Sequence, residues 1–348
     1  MFLKYYKSLD GIRAIAALLV MLLHFFNMTT INSYALEIFA SLSKIGQTGV
    51  TLFFVLSGFL ITRILLNTKT HKNYLKNFYI KRVLRIFPLY YSFLLFYYCL
   101  KPLFFSTSFP IINPEYYYLF LQNIALTFTI NSSGPGHFWS LAVEEHFYLI
   151  WPFVILLSSK KQLKRIIFFI VIFCLVLRFY MLINNYKVIW FTLTRIDSLA
   201  IGSFLAIYEL KTNYILKKEK LILIGLVLIF LNITSYTIVH KFSFNLFQTI
   251  KYTLWSITFT YILYLLISNS KSLLSKLLFT KFFSFTGKIS YGLYVYHLFA
   301  FEYVFYIFKK INWQYKFILG FLLSYFIATL SYYLLETPFL KLKKKFNS

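Results

Sequence analysis

The chain has 348 residues, 59% of them hydrophobic and 22% aromatic, with only 13% charged and a mean hydropathy of +0.69. Soluble domains carry about 25% charged residues, so a water-soluble globule is excluded; disorder is excluded too, because a chain this apolar collapses. The 36 lysines and arginines against 10 aspartates and glutamates give +26, but they fall in short runs between apolar stretches rather than on one face of a soluble module, so no nucleic-acid partner is implied.

Apolar stretches long enough to span a bilayer fall at residues 9–28, 47–66, 86–105, 144–159, 163–183, 196–210, 220–239, 247–268, 287–308 and 316–336. They predict an all-α polytopic membrane protein with about ten transmembrane helices, a single membrane domain over 1–348. Lys4 and Lys7 precede the first stretch and Arg13 stands near its start, but no small-residue cleavage site follows, so it reads as a retained span. Residues 106–143, with Pro110, Pro114, Gly134, Pro135 and Gly136, read as an irregular loop. Of the 36 basic residues, 25 lie in the loops that alternate with both termini, 8 in the opposite set and 3 within spans. That bias predicts both termini in the cytoplasm. Cys99 and Cys174 sit singly in apolar runs, without metal-ligand spacing, so neither a disulfide nor a metal site is expected.

Polar groups inside spans need a reason, because each costs about 2.5–3.5 kcal/mol at mid-helix. The first span, LDGIRAIAALLVMLLHFF, holds Asp10, Arg13 and His24. Arg13 and His24 fall about 20° apart on one helical face, separated by roughly 16 Å of rise, and both are expected to face one internal path. At the mouth of the third span, FYIKRVLRIFPLYY puts Arg82 and Arg85 on one side beside Lys81; positive-inside bias or a bound polyanion explains them. The fourth span opens GHFWSLAVEEHFYLIWP. Here His137, Glu144, Glu145 and His146 crowd a helix end expected to be capped by Ser140. The helix dipole is the plain explanation for Glu144, but two adjacent carboxylates cannot both face lipid. In TRIDSLAIG, Arg195 and Asp197 read as a local ion pair. In the ninth span, Ser290, Tyr294 and His297 share a face, with Glu302 further out, and Glu336 closes the tenth. A basic entrance leading to histidines and glutamates suits a transporter, an ion pathway or a membrane-embedded enzyme alike.

These segments resemble the acyltransferase-3 family of integral-membrane acyltransferases, in order from end to end. LDGIRAIAALLVMLLHFF is similar to its first-span Arg-x10-His signature, and Ser57-Gly58-Phe59-Leu60 to its second-span segment. FYIKRVLRIFPLYY resembles its paired-arginine entrance, and Trp139, Ser140, Leu141 and Glu144 match its WSLxxE spacing. TRIDSLAIG, ISYGLYVYH and LETPF complete the series. His146 stands where the family usually has Gln, and Ala142 where Ser is common. The chain resembles the stand-alone members, which lack an appended periplasmic hydrolase-like domain.

The resemblance implies a bacterial inner-membrane enzyme that transfers an acyl group, most often acetyl, from cytoplasmic acyl-CoA to a sugar hydroxyl. The acceptors it implies are surface polysaccharides such as lipopolysaccharide and exopolysaccharide, or glycolipids. Acyl-CoA is then a donor substrate, with no permanently bound cofactor. Arg13, Arg82 and Arg85 are expected to hold its phosphates, and His24 to act as general base. Glu144 or Glu145 orients the imidazole or binds acceptor hydroxyls. Tyr294 or Ser290 positions the sugar or the oxyanion; Asp10, Ser57, His137, Trp139, Ser140, Arg195, Asp197 and His297 are expected to support the site. A transporter of the acyl donor or of a lipid-linked sugar is the alternative.

Overall fold

A computed structural model describes residues 3–30, 34–105, 111–209, 218–234, 243–269 and 272–346. Among them every regular element is helical. Ten principal helices overlap the ten apolar stretches, the third starting well before residue 86: α1 (Ser8–Met28), α2 (Gln47–Thr68), α3 (Tyr74–Leu95), α4 (Trp139–Leu157) and α5 (Lys160–Ile183). They continue with α6 (Ile196–Glu209), α7 (Lys218–Thr234), α8 (Phe244–Ser268), α9 (Ser290–Ile307) and α10 (Trp313–Ser331). Seven of the helical segments described are long and apolar enough to cross a membrane. The other three are α6 and α7, of 14 and 17 residues, and α9, of 18, whose tyrosines, His297 and Glu302 lower its hydropathy. On α5, Phe168, Phe169, Ile172, Val176 and Phe179 are all exposed, an outward apolar face that water would not tolerate and lipid does. The protein is a multi-pass membrane protein. The end of the stretch predicted at 220–239, and Pro110, Lys211, Lys217, Lys241 and Lys271, lie outside the described residues.

Two regions depart from the sequence reading. The segment 111–138 is not an open loop: it forms helical turns at Glu115–Tyr118 and Gln122–Thr127. Tyr117, Gln122 and Asn123 in it are buried. Its aromatic residues drive it inward, and its amides find partners there, Gln122 on the Phe138 carbonyl and Asn123 on the Thr192 hydroxyl. A helix at Tyr34–Ser43 precedes α2, also unforeseen, because its short apolar run is too brief to span.

α2 packs against α1, α4, α6 and α8. Its closest approach is to α6. A Cβ on Gly58 would collide with the Leu199 backbone, and one on Gly202 with the Val55 backbone. In lipid, where burial of apolar surface gives helices little reason to associate, small residues that let backbones touch supply the packing instead. Ser57, next to Gly58, is thereby held at a fixed depth.

Candidate active site

A cavity of about 170 Å³ opens between α1, α2, α3, α4 and α9. Its polar lining is Arg13, Ser57, Arg82, Arg85, Ser140, Glu144, Glu145, Ser290 and Tyr294, with Tyr148 and Tyr291, and its apolar wall includes Val50, Phe53 and Phe54. Five helices thus each turn their lipid-incompatible residues to one space.

At the arginine-rich end, Arg13 pairs with Asp10 at 2.5 Å and Arg85 with Glu336 at 3.5 Å. Tyr5 also bonds Asp10. Arg82 stands between the rings of Phe78 and Tyr148, each 5.8 Å from its guanidinium carbon. Among the described residues no carboxylate pairs with it, and its Nε is buried without a partner. Lys343, just beyond the last span, adds a further cation. Burial, then repulsion from Arg82, Arg85 and Lys81, pushes its ammonium down to about 7. In the sequence Lys343 is one of the 25 loop cations that set the topology.

Glu144 and Glu145 both line the cavity. α4 begins at Trp139, with Phe138 at its cap position and no acidic residue in its first turn. The dipole explanation for Glu144 therefore fails, and so does Ser140 as a cap: the helix starts before it. The Ser140 hydroxyl instead lies 2.5 Å from that of Tyr294, which itself donates to the His137 carbonyl. Ser57 bonds the Tyr148 hydroxyl, and Ser290 donates to the Gly287 carbonyl at 2.9 Å.

His24 is not part of the cavity lining. It is half-buried, and α9 and the chain leading into α4 pack against one side of its ring, so the expected path shared with Arg13 is not one continuous cavity: Arg13 lines it and His24 does not. His24 Nδ1 lies 2.8 Å from His297 Nε2, and its ring centroid is 6.4 Å from that of His137. His137 Nε2 donates to the Val295 carbonyl at 3.2 Å, while its buried Nδ1 has no partner. Tyr294 belongs to both groups. It lines the cavity, and its ring centroid is 5.5 Å from His137 and 6.0 Å from His297.

Arg195 and Asp197 do not pair with each other. Asp197 binds Arg178 at 2.6 Å and accepts from Thr253, all three enclosed between α5, α6 and α8. Arg195 donates to Thr51 and stacks on Tyr252, its guanidinium carbon 3.8 Å from the ring centre. Arg195 lies in the turn before α6 and Asp197 in the first turn of that helix, and each takes its partner from another span. His146 faces Thr192 at 2.7 Å, away from the cavity.

Fold and cavity together define an integral-membrane protein with a polyanion-compatible mouth leading to hydroxyls and carboxylates. Residues 6–337 match the acyltransferase-3 family, described as an acyltransferase domain, and the chain belongs to that family. It is 29% identical over 365 aligned positions to the O-acetyltransferase OatA of Staphylococcus aureus, covering 97% of this chain and 58% of that one. It is 35% identical over 170 residues to the peptidoglycan O-acetyltransferase OatA of Listeria monocytogenes, covering 45% of this chain and 25% of that one. A Haemophilus influenzae protein without an assigned function is 32% identical over 184 residues, 47% of this chain and 75% of its own length. This chain thus spans little more than half of the Staphylococcus relative and a quarter of the Listeria one. No solved structure matches it.

Proposed function

We propose that the protein is an O-acyltransferase that moves an acyl group, acetyl first among them, from acyl-CoA to a hydroxyl of a cell-surface polysaccharide or glycolipid. One observation carries the donor half: Arg82 faces the cavity with no carboxylate partner among the described residues. Arg82 is half-buried with its Nε sealed away from any partner among those residues, which is costly, and a phosphate accepts from a guanidinium with charge-assisted bonds. Arg85, Arg13 and Lys343 surround the same mouth, and the lysine bias of the loops assigns that mouth to the cytoplasmic side, where acyl-CoA is found. The pantetheine arm then follows the apolar wall of Val50, Phe53 and Phe54 toward Tyr294.

His24 is the general base of this reading. A sugar hydroxyl is a poor nucleophile until its proton has somewhere to go, and imidazole is suited to take it near neutral pH. Glu144 and Glu145 bind acceptor hydroxyls, and Ser140 or Tyr294 donates to the developing oxyanion. The names of the OatA relatives, one a peptidoglycan O-acetyltransferase, support a glycan acceptor.

Mass spectrometry of surface glycans from cells with and without the gene tests the reading. A mass increment of one acetyl group that disappears with the gene and with His24→Ala, at unchanged protein level in the membrane, is the expected result. Gene-dependent movement of acyl-CoA or a lipid-linked sugar across the membrane, with no acylated product, would make the protein a transporter instead.

A further inference from the structure

The 2.8 Å contact between His24 Nδ1 and His297 Nε2 needs one donor and one acceptor, and a neutral imidazole has one of each. The far nitrogen of His297 decides the direction. His297 Nδ1 faces two backbone carbonyls of α9, Tyr294 at 2.8 Å and Leu293 at 3.1 Å. A carbonyl can only accept, so His297 Nδ1 carries the hydrogen. The His297 ring is buried, and among the described residues no carboxylate touches it to offset a second proton. His297 Nε2 is therefore a lone pair, and the hydrogen of the shared bond sits on His24 Nδ1. This leaves His24 Nε2 as a lone pair too, and no group among the described residues bonds it. Two other titratable side chains face the pair: His137, its ring centroid 6.4 Å from that of His24 and 5.1 Å from that of His297, and Tyr294, 6.0 Å from His297.

We propose that His297 is a positioning residue for acyl transfer: the α9 backbone fixes its tautomer, it fixes that of His24, and His24 Nε2 is thereby the nitrogen presented to the acceptor. This rests on His24 being the base. In the step, His24 Nε2 takes the hydroxyl proton as the oxygen bonds to the thioester carbonyl carbon. The carbon–sulfur bond then breaks, its electron pair leaves on the CoA sulfur, and the proton passes from His24 Nε2 to that sulfur, giving ester and free thiol. Throughout, His24 Nδ1 donates to His297, so the transient imidazolium always has an acceptor beside it.

The test is nitrogen NMR on histidine-labelled protein in lipid vesicles, with the His24 signal identified by its loss in His24→Gln. The wild type should show His24 protonated at Nδ1. In His297→Leu the ring should revert to Nε2–H, and turnover with acetyl-CoA and a soluble glycan should fall about 100-fold, with both KM values little changed. His297→Gln, whose amide both accepts and donates, should restore the tautomer and return turnover to within about 10-fold of wild type. Turnover is normalised to folded protein, so a variant that merely misfolds is recognised. An Nε2–H tautomer in the wild type, or wild-type turnover in His297→Leu, overturns the proposal. Full turnover in His24→Gln overturns the base reading itself, a result separable from the other two.

Discussion

The Tyr294 hydroxyl ties α9 to the start of α4: Ser140 donates to it across 2.5 Å, and it donates in turn to the His137 carbonyl. Tyr294→Phe strips both groups of a partner in a buried site, a loss of about 1–3 kcal/mol. A lower thermal midpoint is expected in the detergent-purified protein, together with a fall in turnover of about 10- to 100-fold and little change in donor KM. Undiminished turnover would remove Tyr294 from the reaction path.

Arg82 is the cavity arginine with no carboxylate partner among the described residues. Bonds to charged groups are worth about 1.5–3 kcal/mol, so Arg82→Gln should raise donor KM about 10- to 100-fold while kcat changes little. Arg82→Lys should recover only part, because a point charge replaces a planar fork. Initial rates across acetyl-CoA concentration read both effects, and an unaltered KM would exclude Arg82 from donor binding.

Lys343 gives the site a pH dependence of predictable sign. Burial and its cationic neighbours hold its ammonium down to about 7, and a bound polyanion favours the charged form. At pH below that value the lysine is already charged when the donor arrives. Above it, binding must take up a proton, so affinity falls as pH rises, by at most about tenfold per unit. Donor KM measured on either side of neutrality should rise on the alkaline side and lose that slope in Lys343→Met. A slope that survives the substitution assigns it to another group.

The Arg178–Asp197 pair is fully enclosed at 2.6 Å. Removing one partner of a buried pair costs about 3–5 kcal/mol, so Arg178→Leu or Asp197→Asn should deplete folded protein from the membrane. Replacing both with apolar residues should restore much of the loss. Thermal unfolding of the extracted variants measures this; singles as stable as the wild type would mean the pair contributes nothing to the fold.

The helices were legible because apolar runs bounded by lysines leave little choice in lipid. Most of the cavity was legible for the complementary reason: Arg13, Arg82, Ser140, Glu144, Ser290 and Tyr294 are residues lipid rejects, and here they share one space. What could not be read is what neighbouring helices bring to a given face. Angular spacing turned His24 inward, but only the packing of α9 against α1 decides that His297 meets it. Arg178 and Asp197 lie on different spans, so no local pattern joins them. α4 starts on aromatic residues rather than a polar cap, which hid its true first turn. Lys343 looks in sequence like any other anchoring lysine, and its crowding by α3 arises only in the folded chain.

The seating of Gly58 and Gly202 has a mechanical corollary. Side chains can swing aside, but two main chains already touching cannot yield without separating the helices that carry them. The Ser57 side of the cavity is thus a stiff jamb. Any widening to admit a bulkier acyl chain or sugar falls to the opposite side, where α9 meets α3 through side chains rather than touching backbones: the Tyr291 hydroxyl on the Ile86 carbonyl at 2.9 Å and the Tyr296 ring against that of Phe93. Changes in acyl or sugar preference should therefore be engineered on α3 and α9, with α2 left alone as the fixed frame.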